Sequence, residues 1–201
     1  MPESAAFCYS VREKCGLAGR TPPTLGSQGA PVTIAALSDF QCPYCARGLR
    51  ILTKDVLPLY KDKVRVVYLH FPLTGHPWAR KAAETMACIG AQNTHLFWSL
   101  HDYLFDHQVE IKPNSFDVKI AEQIRLTGAQ DFDEAEFHTC VETGKGAAMV
   151  DEDLKVGWHH DVTATPTFYI NGERAEGVTS AGDWKAAIDR QLHLAATPSK
   201  R

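Results

Sequence analysis

The fold reading turns on Val32-Thr33-Ile34-Ala35-Ala36-Leu37-Ser38-Asp39-Phe40-Gln41-Cys42-Pro43-Tyr44-Cys45. Its first six residues are short and almost continuously apolar, the pattern of a parallel strand covered on both faces. A Cys-Pro pair follows at once, and proline is favoured at the first position of a helix, where its missing N–H costs nothing. With Pro43 in that position, Cys42 is the N-cap and Cys45 the third helical residue. An N-cap side chain accepts hydrogen bonds from the free amides of the first turn and sits at the positive end of the helix dipole. A sulfur there is favoured as thiolate, so Cys42 is expected to have a depressed pKa and to act as a nucleophile. Cys45, one turn inside, is expected to be shielded and to serve as the resolving thiol.

Working outward, a helical stretch runs from about Pro43 to Tyr60, and Val64 to Leu69 is β-branched and aromatic, a second strand. Together they predict a right-handed β-α-β unit. From His76 to Gly157 the periodicity is helical. Ala79, Ala82, Ala83, Met86, Ala87 and Gly90 share one face, as do Leu96, Phe97, Leu100, Tyr103, Leu104 and His107. Weaker stripes span Phe116–Leu126, Asp133–Thr143 and Ala147–Trp158. Strand character returns at Thr167–Ile170, Asn171-Gly172 signals a two-residue hairpin, and a closing helix carries Trp184, Ala187, Ile188 and Leu192. The stretch from Gly19 to Pro31 reads as an extended arm. The division expected is an arm or linker over 1–30, an α/β domain over 31–75 and 158–196, a helical insertion over 76–157 and a tail over 197–201.

The 201 residues carry a net charge of -3 and show no basic stripe, so no nucleic-acid partner is expected. No apolar run reaches the roughly 18 residues that span a bilayer. The acidic, polar N-terminus does not read as an uncleaved secretory signal. It fits a mature chain whose leader has been removed, and a cytosolic chain equally. Six cysteines, an even count, point to an oxidising compartment and hence to a periplasmic or extracytoplasmic location. A CxxC can supply half of a zinc site, with Cys8 and Cys15 completing it. Six residues separate those two, however, and a strand-to-helix junction is not a zinc knuckle, so no metal is expected. His95, His101 and His107 recur every six residues and rotate by about 240° each, so they cannot converge on one ion. His159-His160 suits a helix C-terminus. Trp78 and Trp158 are read as core packing or as the rim of a groove.

In these motifs the chain resembles the DsbA-like thioredoxin-fold disulfide oxidoreductases of bacteria. SDFQCPYC is similar to their active-site segment and FPLTGHPWA (71–79) to the entry into their helical insertion. HLFWSLHDYLF (95–105) is similar to a helix within it, and VTATPTFYINGE (162–173) to the loop facing the cysteines. The resemblance runs from about Val32 to Leu194. It implies an α/β thioredoxin fold with an inserted all-helical subdomain, Cys42 as the attacking and Cys45 as the resolving cysteine. It also implies a cis-proline at Pro166, which the residues alone would suggest to be trans, and a substrate-pairing backbone at Thr165. Pro43 and Tyr44 complete the active-site support. A structural disulfide between Cys88 and Cys140 is implied too, and would account for both residues; two free core cysteines are the alternative. Cys8 and Cys15 could form a further bridge, stay labile or pair between chains. Many relatives carry a buried Glu where this chain has Ala36, and Asp39 is read as facing away from the cysteines.

The expected function is thiol–disulfide exchange with unfolded or partly folded secreted proteins, without a dissociable cofactor, the pair being reset by a membrane redox partner. Tyr44 and Thr165 resemble the isomerase branch of DsbC and DsbG, whereas only about 30 residues precede the first strand, too few for that branch's dimerisation domain. A monomeric dithiol oxidase, milder than DsbA because Tyr44 is neutral, is the expectation. A DsbC/DsbG-type isomerase or reductase, and a redox-inactive peptide-binding or chaperone module, are the alternatives.

Overall fold

The computed structural model describes residues 21–196. Five strands form one mixed sheet: β1 (Thr24–Gly26), β2 (Val32–Ser38), β3 (Val64–His70), β4 (Thr167–Ile170) and β5 (Glu173–Arg174), in the order β1-β3-β2-β4-β5. β2 and β3 run parallel, with Ala36 opposite Tyr68 and Ser38 opposite His70. β1, β4 and β5 pair antiparallel to their neighbours. Part of the stretch read as an extended arm is therefore an edge strand. It is three residues long, too short for periodicity to reveal it.

α1 (Pro43–Arg50) leaves the cysteine segment and continues without a break through a π-helical stretch, Ile51–Val56, into α2 (Leu57–Tyr60). Between β3 and β4 come α3 (Ala79–Gln92), α4 (Thr94–Asp106), α5 (Phe116–Thr127), α6 (Glu134–Glu142) and α7 (Lys145–His159); α8 (Ala181–Ala196) closes the chain. The Asn171-Gly172 turn joins β4 to β5 as the sequence predicts. Both residues have positive φ, 48° and 90°, which Asn and Gly tolerate. The Asn171 side chain also accepts from the Thr33 amide and donates to the Pro31 carbonyl, tying the hairpin to the start of β2.

The alternation of β2 and β3 divides the core. Ile34, Ala36, Val66 and Tyr68 face a cluster with Leu49, Leu52, Phe97, Trp184 and Ile188. Ala35, Leu37 and Leu69 face the other side, with Ala83, Ala87, Val150 and Val156. α3 serves both clusters and is buried nearly all round, which its small residues permit. α7 covers the second sheet face, so the helical segment is not a separate lobe. The boundary expected between 157 and 158 falls inside that helix, where Gly157 lies so close to Phe71 and Leu37 that an added Cβ would meet them at 2.4 and 2.9 Å.

Cys88 of α3 and Cys140 of α6 are joined by a disulfide across a sequence separation of 52 residues. The Ala79–Gly90 stripe does not enclose Cys88; its opposite face does, where α6 and α7 pack. Gly146 of α7 makes room for this, since a Cβ there would stand 2.9 Å from Cys88 Sγ and 2.4 Å from the Glu84 carbonyl oxygen. Chain entropy over such a loop gives the bridge about 4 kcal/mol of stabilisation. Replacing both cysteines with alanine should lower the thermal unfolding midpoint by about 10 °C; an unchanged midpoint would contradict the bridge.

Candidate active site

Cys42 is the N-cap of α1, with Pro43 at its first position and β-region backbone at the cap (φ -78°, ψ 120°). The Cys42 carbonyl accepts the amides of Cys45 and Ala46, starting the helix at the end of the buried strand. In one respect the cap departs from the sequence reading: no first-turn amide makes a capping hydrogen bond to the Cys42 sulfur. Sγ instead lies 3.4 Å from the carbonyl oxygen of Thr165. Its pKa is lowered from 9.0 to about 5, chiefly by the side chain of Cys45, against the opposing effect of burial. The Cys45 amide, Thr165 and the Tyr44 amide contribute less.

Cys45 is wholly enclosed, and burial together with the neighbouring Cys42 pushes its thiol well above 9.0. The Asp39 amide donates to its sulfur at 3.4 Å. Both cysteines are in the dithiol form. Tyr44 between them is 74% exposed. Thr165-Pro166 is a cis peptide, and Pro166 packs toward Gly48 of α1. The short spacing thus places one sulfur where a thiolate is stabilised and the other where it is not.

Three side chains hold this junction. The Asp39 carboxylate is buried; Oδ1 accepts the Gln41 amide at 2.7 Å, and Oδ2 accepts the Leu73 amide at 2.8 Å with His76 Nδ1 at 2.6 Å. Gln41 Oε1 accepts the Trp78 amide, binding the same 71–78 loop. From the other side, Gln108 donates its amide group to the carbonyls of Phe40 and Cys42, at 2.7 and 3.0 Å. The Asp39 carboxylate is thus occupied by Gln41, Leu73 and His76, while its backbone amide faces Cys45. Gln41 and Asp39 lie within the quoted motif, where a polar residue beside a buried strand end signals a clamp. Nothing in the sequence marks Gln108.

Trp78 stacks on Phe116 in the core, whereas Trp158 is 60% exposed. His101 is buried and pairs with Asp102, and His95 is exposed on the same helix. Among the described residues no group of His, Cys, Asp and Glu could hold a metal, and no helix is long and apolar enough to cross a membrane. Cys8 and Cys15 lie outside the described residues. A cavity of about 520 Å³ between β1 and α4, bordered by Leu25, Trp98 and Asp102, includes neither active-site cysteine.

The family model described as "Thioredoxin" matches residues 19–190. The chain belongs to the thioredoxin family. Over 164 residues, 81% of this chain, it is 34% identical to the Na(+)/H(+) antiporter NhaA 3 of Salinispora tropica, and covers 24% of that protein. The chain thus spans about a quarter of the length of the first curated relatives it matches. It is 23% identical over 184 residues to disulfide bond formation protein D of Bacillus subtilis, covering 85% of this chain and 77% of that protein. The crystal structure of oxidised BdbD from Bacillus subtilis superimposes with a TM-score of 0.70 at 20% identity, covering 86% of this chain and 93% of that one. This is the thioredoxin fold that the resemblance to DsbA-like proteins implies.

The lowered Cys42 pKa has a consequence for stability. In the reduced protein, between pH about 5 and 9.0, the unfolded chain carries a proton on Cys42 that the folded chain does not. Folding is therefore favoured increasingly as pH rises through this window, by about 1.4 kcal/mol per pH unit, and the gain is lost as pH falls to about 5. The oxidised protein has no such thiolate. The difference in denaturation midpoint between reduced and oxidised forms should shift towards the reduced form as pH rises across this range. A difference that stays flat with pH would contradict the lowered pKa.

Proposed function

We propose that this chain catalyses thiol–disulfide exchange, with Cys42 as the attacking sulfur and Cys45 as the resolving one. The observation that carries this reading is the opposite displacement of two thiols in one turn of helix, Cys42 down to about 5 and Cys45 well above 9.0. The thiolate is the nucleophile in such exchange, so the pair is already divided by role. The substrate is a protein with cysteines in extended, unfolded or partly folded segments. The Thr165 carbonyl beside Cys42 offers a backbone acceptor, and exposed Tyr44 offers an apolar contact.

The direction proposed is dithiol oxidation by a monomer in an extracytoplasmic compartment. A low nucleophile pKa stabilises the reduced enzyme and so makes its disulfide a stronger oxidant. A membrane redox partner then reoxidises the pair, and no dissociable cofactor takes part. The likeness to disulfide bond formation protein D supports this direction, because that protein is named for forming such bonds.

Cys42→Ser should abolish exchange, whereas Cys45→Ser should leave a nucleophile that accumulates mixed disulfides with substrate. With a reduced multi-disulfide substrate, the oxidised enzyme should restore activity faster than it does with a scrambled one. Mixed disulfides forming through Cys45 would sink the assignment of roles. Efficient unscrambling with poor oxidation would reverse the direction to isomerase.

A further inference from the structure

Exchange makes one demand that the groups described so far do not meet. A substrate thiolate attacks Cys42 Sγ, the Cys42–Cys45 bond breaks, and its electron pair is left on Cys45 Sγ. That sulfur then takes up one proton, the one the substrate thiol released, and ends as a thiol. In reverse, Cys45 loses that proton and attacks Cys42 in the mixed disulfide, expelling the substrate thiolate. In both directions negative charge passes through a sulfur with no exposed surface. Among the described residues its one formed hydrogen bond is from the Asp39 amide at 3.4 Å, and an unsolvated charge with a single donor is costly.

Near it lie three buried hydroxyls without a formed hydrogen bond, Ser38 and Tyr68 on the sheet and Thr165 before the cis-proline. Ala36 and Ser38 on β2, with Tyr68 and His70 opposite them on β3, share one face of the sheet. This is the face on which α1 packs, through Leu49. Phe40 stacks on Tyr68 at 5.1 Å and seals the group from above. Ser38 and Tyr68 are almost wholly buried, and Ser38 Oγ and Tyr68 OH have no hydrogen-bond partner among the described residues. Ser38 is nonetheless near enough to Cys45 to oppose the rise of its pKa, and near enough to Tyr68 to do the same there. Neither contact has the geometry of a formed bond in the dithiol state. A donor with no ground-state partner, held next to an atom that becomes charged only during reaction, is placed for the transition state.

We propose that Ser38, oriented by Tyr68, is a catalytic hydrogen-bond donor that stabilises the developing charge on Cys45 Sγ as the Cys42–Cys45 bond is broken or made. Ser38 supplies the second donor beside the Asp39 amide. Tyr68 acts through Ser38 as a positioning residue, its hydroxyl occupying the serine lone pair so that the serine proton turns to sulfur. Sulfur is a weak acceptor, so the effect is smaller than for a donor to an oxyanion.

The inference rests on the exchange reading above, and its test separates the two. The rates to measure are attack of a small thiol on the oxidised protein and resolution of a preformed mixed disulfide by Cys45, with the reduction potential at neutral pH. Ser38→Ala should slow both rates by about tenfold while the potential stays unchanged, because thiol and disulfide are both neutral at Cys45. Tyr68→Phe, nearly isosteric, should slow both by about threefold and likewise spare the potential. It carries the test alone if Ser38→Ala does not fold. Rates that do not move, that fall in one direction only, or that fall together with a shifted potential would overturn the role of Ser38. A wild-type protein that forms no mixed disulfide at all would overturn the exchange reading, and this inference with it.

Discussion

Asp39 ends the central strand with its carboxylate enclosed and three polar partners around it, the amides of Gln41 and Leu73 and the ring of His76. A buried carboxylate is tolerable only when its oxygens are occupied, so these contacts are obligatory once the strand is in place. They determine where the chain turns from strand to helix, and so where both sulfurs lie. The backbone of the same residue donates to Cys45, and Gln108 grips the junction from the opposite side. The reactive segment is held by the scaffold around it, with the first helical turn adding only a part.

From this constraint follows the asymmetry of the two thiols. They are three residues apart, yet one sits at the helix end beside the Thr165 carbonyl and the other one turn deeper against the sheet. Placement at the N-cap lets Cys42 take stabilisation from Cys45 and from nearby amides, while depth denies Cys45 the same. The two shifts are coupled, because the proximity of the two sulfurs lowers one pKa and raises the other. Removing one sulfur therefore alters the other's titration as well.

Much of this was legible in the sequence because it depends on local chemistry. The apolar run before Cys42, proline at the first helical position and the Asn171-Gly172 turn each specify backbone geometry within a few residues. Their structural counterparts lie within one residue of the boundaries read from them. The edge strand at Thr24–Gly26 is not legible in the sequence because three residues show no periodicity, and its partner on β3 is some forty residues away. Cys88 lies outside the Ala79–Gly90 stripe for a related reason, since a single stripe does not describe a helix packed on two sides. Ser38, Tyr68 and Gln108 were not singled out either. Their significance comes from register across strands and from a loop contact, and neither is a property of one stretch of chain.

Exchange by this pair depends on the fold separating the two sulfurs electrostatically. The direct measurement is a pH titration of the reduced protein, followed by nuclear magnetic resonance at isotope-labelled cysteine β-carbons, with Cys42→Ser giving the assignment. The Cys42 signal is predicted to titrate at about 5, and the Cys45 signal to show no titration up to 9.0. Two signals titrating together near 9.0, the value of an ordinary thiol, would contradict it.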